Sequence, residues 1–264
     1  MNSRLTILGC GSSGGVPRIG NDWGECDPEN PRNRRLRCSA LVEQKGPAGT
    51  TTVLIDTGPD IRQQLLGVRL THLDGVLFTH DHADHTHGID DLRMLAFRMR
   101  RRIDVWADAT TRQSLTSRFG YCFETPRGRD YPPILTAHEI VPANPFTVRG
   151  AGGDLAVQAV EQAHGAITSL GFRFGGLAYS PDISSLTDAS AEKLENLDVW
   201  IVDALRYTFH PSHFSVKQAL EWIERLQPKR AILTHLNVDL DYKKLAGELP
   251  GHVEPAYDGM VVEF

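Results

Sequence analysis

The segment Val76-Leu77-Phe78-Thr79-His80-Asp81-His82-Ala83-Asp84-His85 decides how this chain is read. Three apolar residues of strand type run straight into five metal-capable side chains within six positions. In extended backbone successive side chains alternate, so His80 and His82 fall on one side. A turn after His82 swings Asp84 and His85 toward a neighbouring position. The segment therefore offers two imidazoles to one cation and a carboxylate plus an imidazole to a second. Imidazole with carboxylate suits zinc or manganese, and also iron, better than calcium or magnesium alone. The competing reading is a histidine-rich surface turn. Charges at the end of a buried-type strand need compensation, which favours the metal.

Working outward, apolar runs of strand length recur at Leu5–Leu8, Ala40–Val42, Val53–Ile55, Ile103–Trp106, Leu155–Val160, Leu170–Phe174, Leu177–Tyr179, Val199–Val202 and Ala231–Leu233. Helical periodicity separates them, clearest in Asp90–Arg100, Ala109–Arg118 and Ser215–Leu226. Early strands are joined by Gly/Pro-rich turns and later ones alternate with helices. This predicts an α+β architecture of two mixed β-sheets flanked by helices. No linker or fixed-period repeat interrupts it, so residues 1–264 read as a single domain. The longest irregular stretch is Gly11–Arg35, and loops of that length are commonly functional or mobile. Thr125–Pro133 reads as a surface insert.

The 264 residues suffice for a large core, and 41% hydrophobic with 23% charged residues is an ordinary globular composition. A formal net charge of −5 does not favour polyanions, so nucleic acid is not the expected partner. Two basic clusters, Arg32/Arg34/Arg35/Arg37 and Arg98/Arg100/Arg101/Arg102, read first as solvated faces. Cys10, Cys26, Cys38 and Cys122 have no C-x-x-C pairing, which argues against a disulfide framework. Reduced thiols, no signal-like run and no apolar stretch approaching ~20 residues predict a cytoplasmic protein without a membrane partner. A homodimer is compatible with all of this. Gly9-Cys10-Gly11-Ser12-Ser13-Gly14 fits G-x-G-x-x-G, but Gly15, Pro17, Gly20 and Gly24 follow where a dinucleotide fold needs a helix. The loop reads instead as a turn whose backbone N–H groups approach an active site.

Thr79-His80-x-His82-x-Asp84-His85 resembles the signature of the metallo-β-lactamase superfamily, and the resemblance runs over essentially the whole chain. It implies an αββα sandwich with two divalent metal ions at one edge of the sheets. It also implies a later His, a bridging Asp and a final His. His164, Asp182 and His235 stand in that order, each after an apolar run. By this resemblance His80, His82 and His164 hold one metal, Asp84, His85 and His235 the other, and Asp182 bridges. Two metals about 3.5–4 Å apart acidify bound water from a pKa of 15.7 to near 7 and so hold a hydroxide nucleophile.

The aspartate at the bridging position argues against a lactamase, and histidine at position 82 argues against the flavo-di-iron relatives. His210-Pro211-Ser212-His213-Phe214-Ser215 resembles the general-acid region of the phosphoribosyl cyclic phosphodiesterases of phosphonate breakdown and of tRNA 3′-processing endonucleases. That implies His213 as the acid, a role worth roughly 10²–10⁴ in rate. Gly11–Pro17, Arg35–Ser39, Ile55–Asp60 and Tyr257–Met260 resemble the same phosphodiesterase group. Asp56, and by position Asp81, is expected to support the metal site from behind by orienting a ligand histidine.

One departure from the group is visible. Its extra structural zinc needs a cysteine cluster and a histidine. Here Asn21–Cys26 retains one cysteine, and Leu236, Asn237 and Val238 follow His235. The expected function is hydrolysis of a small cyclic or nucleotide-like phosphodiester. Alternatives are a glyoxalase II-type thioesterase, which would not need His213, and a tRNA 3′-processing-type endoribonuclease, which would need an arm absent here. A non-catalytic metal-binding module is the third. No role is read for His72, His87, His138, His210 or His252, while Trp23, Tyr207 and Phe209 are candidates to line a base or sugar pocket.

Overall fold

A computed structural model describes residues 2–264. The strands are β1 (Asn2–Gly9), β2 (Ser39–Gly46), β3 (Gly49–Ile55), β4 (Gly75–Leu77), β5 (Ile103–Ala107), β6 (Leu135–Glu139) and β7 (Phe146–Val148). They continue as β8 (Leu155–His164), β9 (Ile167–Phe174), β10 (Leu177–Ser180), β11 (Val199–Asp203), β12 (Arg230–Thr234), β13 (Val253–Pro255) and β14 (Val261–Glu263). Helices are α1 (Ile61–Gly67), α2 (Ala83–Thr86), α3 (Arg93–Met99), α4 (Ala109–Arg118), α5 (Gly120–Phe123), α6 (Asp188–Glu192), α7 (Val216–Leu226) and α8 (Tyr242–Glu248).

One sheet has the order β14-β1-β2-β3-β4-β5-β6 and the other β13-β12-β11-β10-β9-β8-β7. Each is antiparallel through part of its width, then parallel: β3 to β6 in the first sheet, β10 to β13 in the second. This is the expected sandwich of two mixed sheets flanked by helices. Alternation along the strands builds it. In β11, Val199 and Ile201 join the cluster between the sheets, while Trp200 and Val202 face the cluster under α6, α7 and α8. In β3, Val53 and Ile55 point between the sheets and Leu54 points to the layer of α1, α3 and α4. Strands covered on both faces read as unbroken apolar runs, which is why they were legible. No helix among the described residues is long and apolar enough to cross a membrane.

Several boundaries differ from the sequence reading. The strand expected at Leu155–Val160 continues to His164, because Glu161, Gln162 and Ala163 still pair with Leu170, Ser169 and Thr168. The helix expected at Asp90–Arg100 begins as a single 3-10 turn, Ile89–Leu92, and stops at Arg100 in left-handed backbone, φ 53°. Helices α1 and α8 had no clear periodic signal. Helix α7 starts where Ser215 and Gln218 form a reciprocal capping box.

The irregular Gly11–Arg35 stretch is pinned rather than free. Val16 and Arg35 exchange backbone hydrogen bonds of 2.9 Å. The Arg35 guanidinium, 1% exposed, donates to the carbonyls of Asn237 (3.1 Å) and Leu240 (2.6 Å) and to Asn33 Oδ1 (3.2 Å). It clamps this stretch onto the segment that follows β12. Removing it leaves the Leu240 carbonyl without a donor, the Asn237 carbonyl with only the Leu240 N–H at 3.2 Å, and a cavity in its own place. Arg35→Ala should therefore lose roughly 2–5 kcal/mol in denaturant unfolding, and Arg35→Lys should recover only part, because a point ammonium cannot replace the planar fork. A loss under about 1 kcal/mol would show the clamp to be dispensable.

Candidate metal centre

The predicted ligands and the residues that back them arrive from strand ends of both sheets. Asp56 follows β3, and Thr79, His80 and His82 follow β4. His164 ends β8, Asp182 follows β10, Asp203 ends β11 and His235 follows β12. The parallel strands run the same way, so their carboxyl ends converge on one edge of the sandwich, where open α/β sheets bind their ligands. Asp56 and His235 adopt left-handed backbone, φ 62° and 59°. Such strain in non-glycine residues persists only where surroundings enforce it. The turn after β4 packs tightly: a Cβ on Gly58 would sit 2.1 Å from the Asp84 carbonyl oxygen.

Within this edge His80, His82 and His164 bring one ligand atom each to within 4.8 Å of one another. Asp84, His85 and His235 do the same, and Asp182 groups both with His80/His85 and with His164/His213. His80 Nε2 lies 2.9 Å and His164 Nε2 3.3 Å from His82 Nδ1. Asp182 extends Oδ2 to 3.2 Å from His85 Nε2 and Oδ1 to 3.3 Å from His235 Nε2. Asp84 Oδ2 is 3.4 Å from His85 Nε2.

Outer hydrogen bonds fix which nitrogen of each ring carries the proton. His85 Nδ1 donates to Asp56 Oδ2 at 2.7 Å. Thr79 donates its hydroxyl to the same carboxylate at 2.8 Å and accepts from His80 Nδ1 at 3.0 Å. His164 Nδ1 donates to the Ser212 carbonyl at 2.6 Å. Each ring thus turns its Nε2 inward, with a free lone pair there whenever the ring is neutral, the arrangement that orients metal-binding histidines.

Charge in the cluster points the same way. Burial pushes His80 and His164 below the usual histidine range and takes His235 down to about 4, so these rings are neutral with lone pairs available. His85 goes the opposite way. Burial opposes its charge, but Asp182, Asp56 and Asp84 surround it and raise it well above the usual value. A proton on His85 therefore stands where a cation would neutralise these carboxylates. Both ring nitrogens of His235 are buried without a hydrogen-bond partner, and Asp182 Oδ2 and His85 Nε2 have only each other, at 3.2 Å. Orphaned groups of this kind cost about 1–3 kcal/mol each. The donor set fits divalent cations, which would satisfy them.

His213 is buried at the same edge, its ring 4.6 Å from those of His164 and His235. Its Nδ1 donates to Asp203 Oδ2 at 2.7 Å, which leaves Nε2 at the free edge of the ring. Burial disfavours the imidazolium, yet Asp203 outweighs it and raises the pKa. Burial also raises Asp203, to about 7. Asp203 is a residue that the sequence reading missed. It directly follows the apolar run Val199–Val202, as Asp56 follows Val53–Ile55, and that parallel was the available signal.

Asp81, expected behind the metal site, faces away. Its carboxylate accepts from Ser114 (2.7 Å) and Arg118 (3.0 Å) on α4, because alternation puts it opposite His80 and His82. His87 packs edge-on against Phe119. Tyr207 donates to Glu248 and lines a groove of about 650 Å³ between α7 and α8, away from the cluster. Trp23 packs on Val16, Cys26 and Val238. Cys26 donates to the Val238 carbonyl and accepts from Arg35, so it is engaged without a metal.

Comparison with known proteins accords with this geometry. A family model described as "Beta-lactamase superfamily domain" matches residues 51–236. An octanoyltransferase of Porphyromonas gingivalis is 34% identical over 261 residues, covering 97% of this chain and 51% of the relative, so the chain spans about half that protein's length. Coenzyme PQQ synthesis protein B of Pseudomonas savastanoi pv. phaseolicola is 25% identical over 308 residues, covering 98% of this chain and 99% of the relative. A crystal structure described as a new diphosphatase from the PhnP family superimposes with a TM-score of 0.90 at 35% identity, covering 100% of this chain and 98% of the other. With a family model matched over most of its length and a solved relative of the same extent, this chain belongs to the metallo-β-lactamase superfamily.

Proposed function

We propose that the chain works as a single metal-dependent phosphodiesterase domain acting on a small phosphodiester or diphosphate-linked, nucleotide-like substrate. The observation that carries this reading is the His213–Asp203 pair at the edge of the histidine–aspartate cluster. Hydrolysis of an ester of a good leaving group needs no proton donor there, whereas expelling a ribose or phosphate oxygen does. The likeness to a protein described as a diphosphatase supports the same class.

His80, His82 and His164 would hold one divalent ion and Asp84, His85 and His235 a second, with Asp182 between them. When bound, such ions, zinc or manganese by donor chemistry, supply Lewis acidity and water acidified toward neutrality. The rest falls to the chain. Asp56 and Thr79 hold His85 and His80 in the metal-binding tautomer. Asp203 holds His213 with its Nδ1 proton turned inward and stabilises the imidazolium. As the P–O bond breaks, the departing oxygen takes the proton from His213 Nε2.

Stripping the protein with chelator should lower its melting temperature, and adding back zinc or manganese should restore it, since anything binding the folded state alone stabilises it. Equal melting points with and without metal would argue against a folded cation site. His213→Ala should lower kcat by roughly 10²–10⁴ on a nucleoside 2′,3′-cyclic phosphate, which expels a ribose oxygen, and far less on bis(p-nitrophenyl) phosphate, whose leaving group is good, while bound metal, measured by atomic emission, stays at the wild-type level. Wild-type turnover of acyl-glutathione but of no phosphodiester would move the assignment to a thioesterase.

The pH profile supplies a third check. Asp203, Asp182 and Asp84 favour the charged His213, while burial opposes it. A raised pKa keeps the acid protonated at neutral pH, so activity falls as pH rises through that value. Asp203→Asn removes the principal counter-charge, and the alkaline limb of kcat/KM should move to lower pH. An unmoved limb would mean that His213 does not titrate in the profile.

A further inference from the structure

Between β11 and α7 the chain makes a loop, Arg206–Ser212, whose charged group is spent on the loop itself. The Arg206 guanidinium donates to the carbonyls of Thr208 (3.3 Å) and Phe209 (2.7 Å). The loop is tied at its far end too, where Val216 N–H donates to the Arg206 carbonyl at 2.9 Å. It is therefore a braced platform rather than a free segment, with Arg206 Nε and Nη2 engaged by its own carbonyls.

His210 stands on that platform, half-buried, its ring 5.1 Å from that of His213. The Ser212 backbone N–H donates to His210 Nδ1 at 3.3 Å, and the Ser212 hydroxyl lies 3.1 Å from the same nitrogen. A backbone N–H can only donate, so His210 Nδ1 is the acceptor and the ring proton sits on Nε2. Burial, then His213 and Arg206 nearby, lowers the pKa, so the ring is neutral. Ser212 is itself anchored, since its carbonyl accepts from His164 Nδ1 at 2.6 Å. One residue thus links a candidate ligand of the centre to His210 and fixes the distance between them.

The result is an N–H donor, neutral and held in place, beside the proton donor of the reaction. We infer that His210 Nε2–H binds a non-bridging oxygen of the departing phosphate, which selects diphosphate-linked substrates over esters whose leaving group lacks such an oxygen. This rests on the phosphodiesterase reading above and names the substrate class for it. His213 supplies the proton to the bridging oxygen as the P–O bond breaks. His210 transfers nothing and acts by hydrogen bonding alone. A neutral donor suits this position. A second cation adjacent to His213 would depress its pKa and drain the acid of its proton.

The test compares diadenosine diphosphate, which expels a nucleoside monophosphate, with bis(p-nitrophenyl) phosphate, which expels a phenol. Both are assayed on metal-loaded wild type, His210→Ala and His210→Asn. For His210→Ala the loss in kcat/KM on diadenosine diphosphate should exceed that on the aryl ester by roughly ten- to hundredfold, the range of a hydrogen bond to a charged oxygen. His210→Asn, which keeps an N–H donor, should recover part of the difference. Adenosine monophosphate should also bind the Ala variant more weakly in calorimetry. Equal losses on both esters would show that His210 only supports the loop and would overturn the inference, as would no loss on either. Wild-type turnover of the aryl ester but not of diadenosine diphosphate would overturn the inference and leave the phosphodiesterase reading standing. Inactivity on both would remove that reading and the inference together.

Discussion

The carboxylate of Asp56 holds the two ends of the histidine segment in register, and the candidate metal centre is built around it. It is fully buried and accepts from Thr79 N–H, the Thr79 hydroxyl and His85 Nδ1, all within 2.8 Å. A buried carboxylate is tolerable only when its oxygens are fully engaged. These three bonds meet that condition by joining the end of β3 to the exit of β4 and to helix α2. Left-handed backbone at Asp56 is the accompanying cost. Without this knot the turn from His80 to His85 has no reason to present its rings on one side.

The sheets supply the second requirement, which is convergence. Each is antiparallel where hairpins suffice and parallel where helices cross over. The parallel halves direct carboxyl-terminal ends toward one edge, so residues just past apolar strands meet there although they are far apart in the chain. His80 and His164 lie 84 positions apart, yet their rings are 5.0 Å apart. The apolar layer between the sheets, with Phe172, Phe174, Tyr179 and Ile201, makes that convergence rigid. Close-packed interiors transmit position well.

A polar frame closes the edge from the other side. Asp258 accepts from the backbone N–H groups of Cys10 (3.0 Å) and Leu36 (2.7 Å), and Arg35 binds the carbonyls beyond His235. The first residues, the long loop and the last turn are thereby tied to the strand end that carries His235. This is a network of side chain to backbone bonds across more than 200 positions, and no local pattern announces it.

The histidine–aspartate segment, the order of the later His and Asp residues that meet it, the sandwich architecture and the general place of His213 beside them were legible in the amino-acid sequence. These depend on patterns local to strand ends: an apolar run covered on both faces, then His or Asp. Alternation also contained the information that Asp81 faces away from His80 and His82, but using it required knowing which side the site occupies. Tertiary structure alone decided that Asp203 is the partner of His213, that Arg35 is a buried clamp, and that His210 presents a donor beside His213. Those roles depend on which atoms meet across separate strands and loops. Backbone pairing and packing set that outcome, whereas periodicity along the chain carries no record of it.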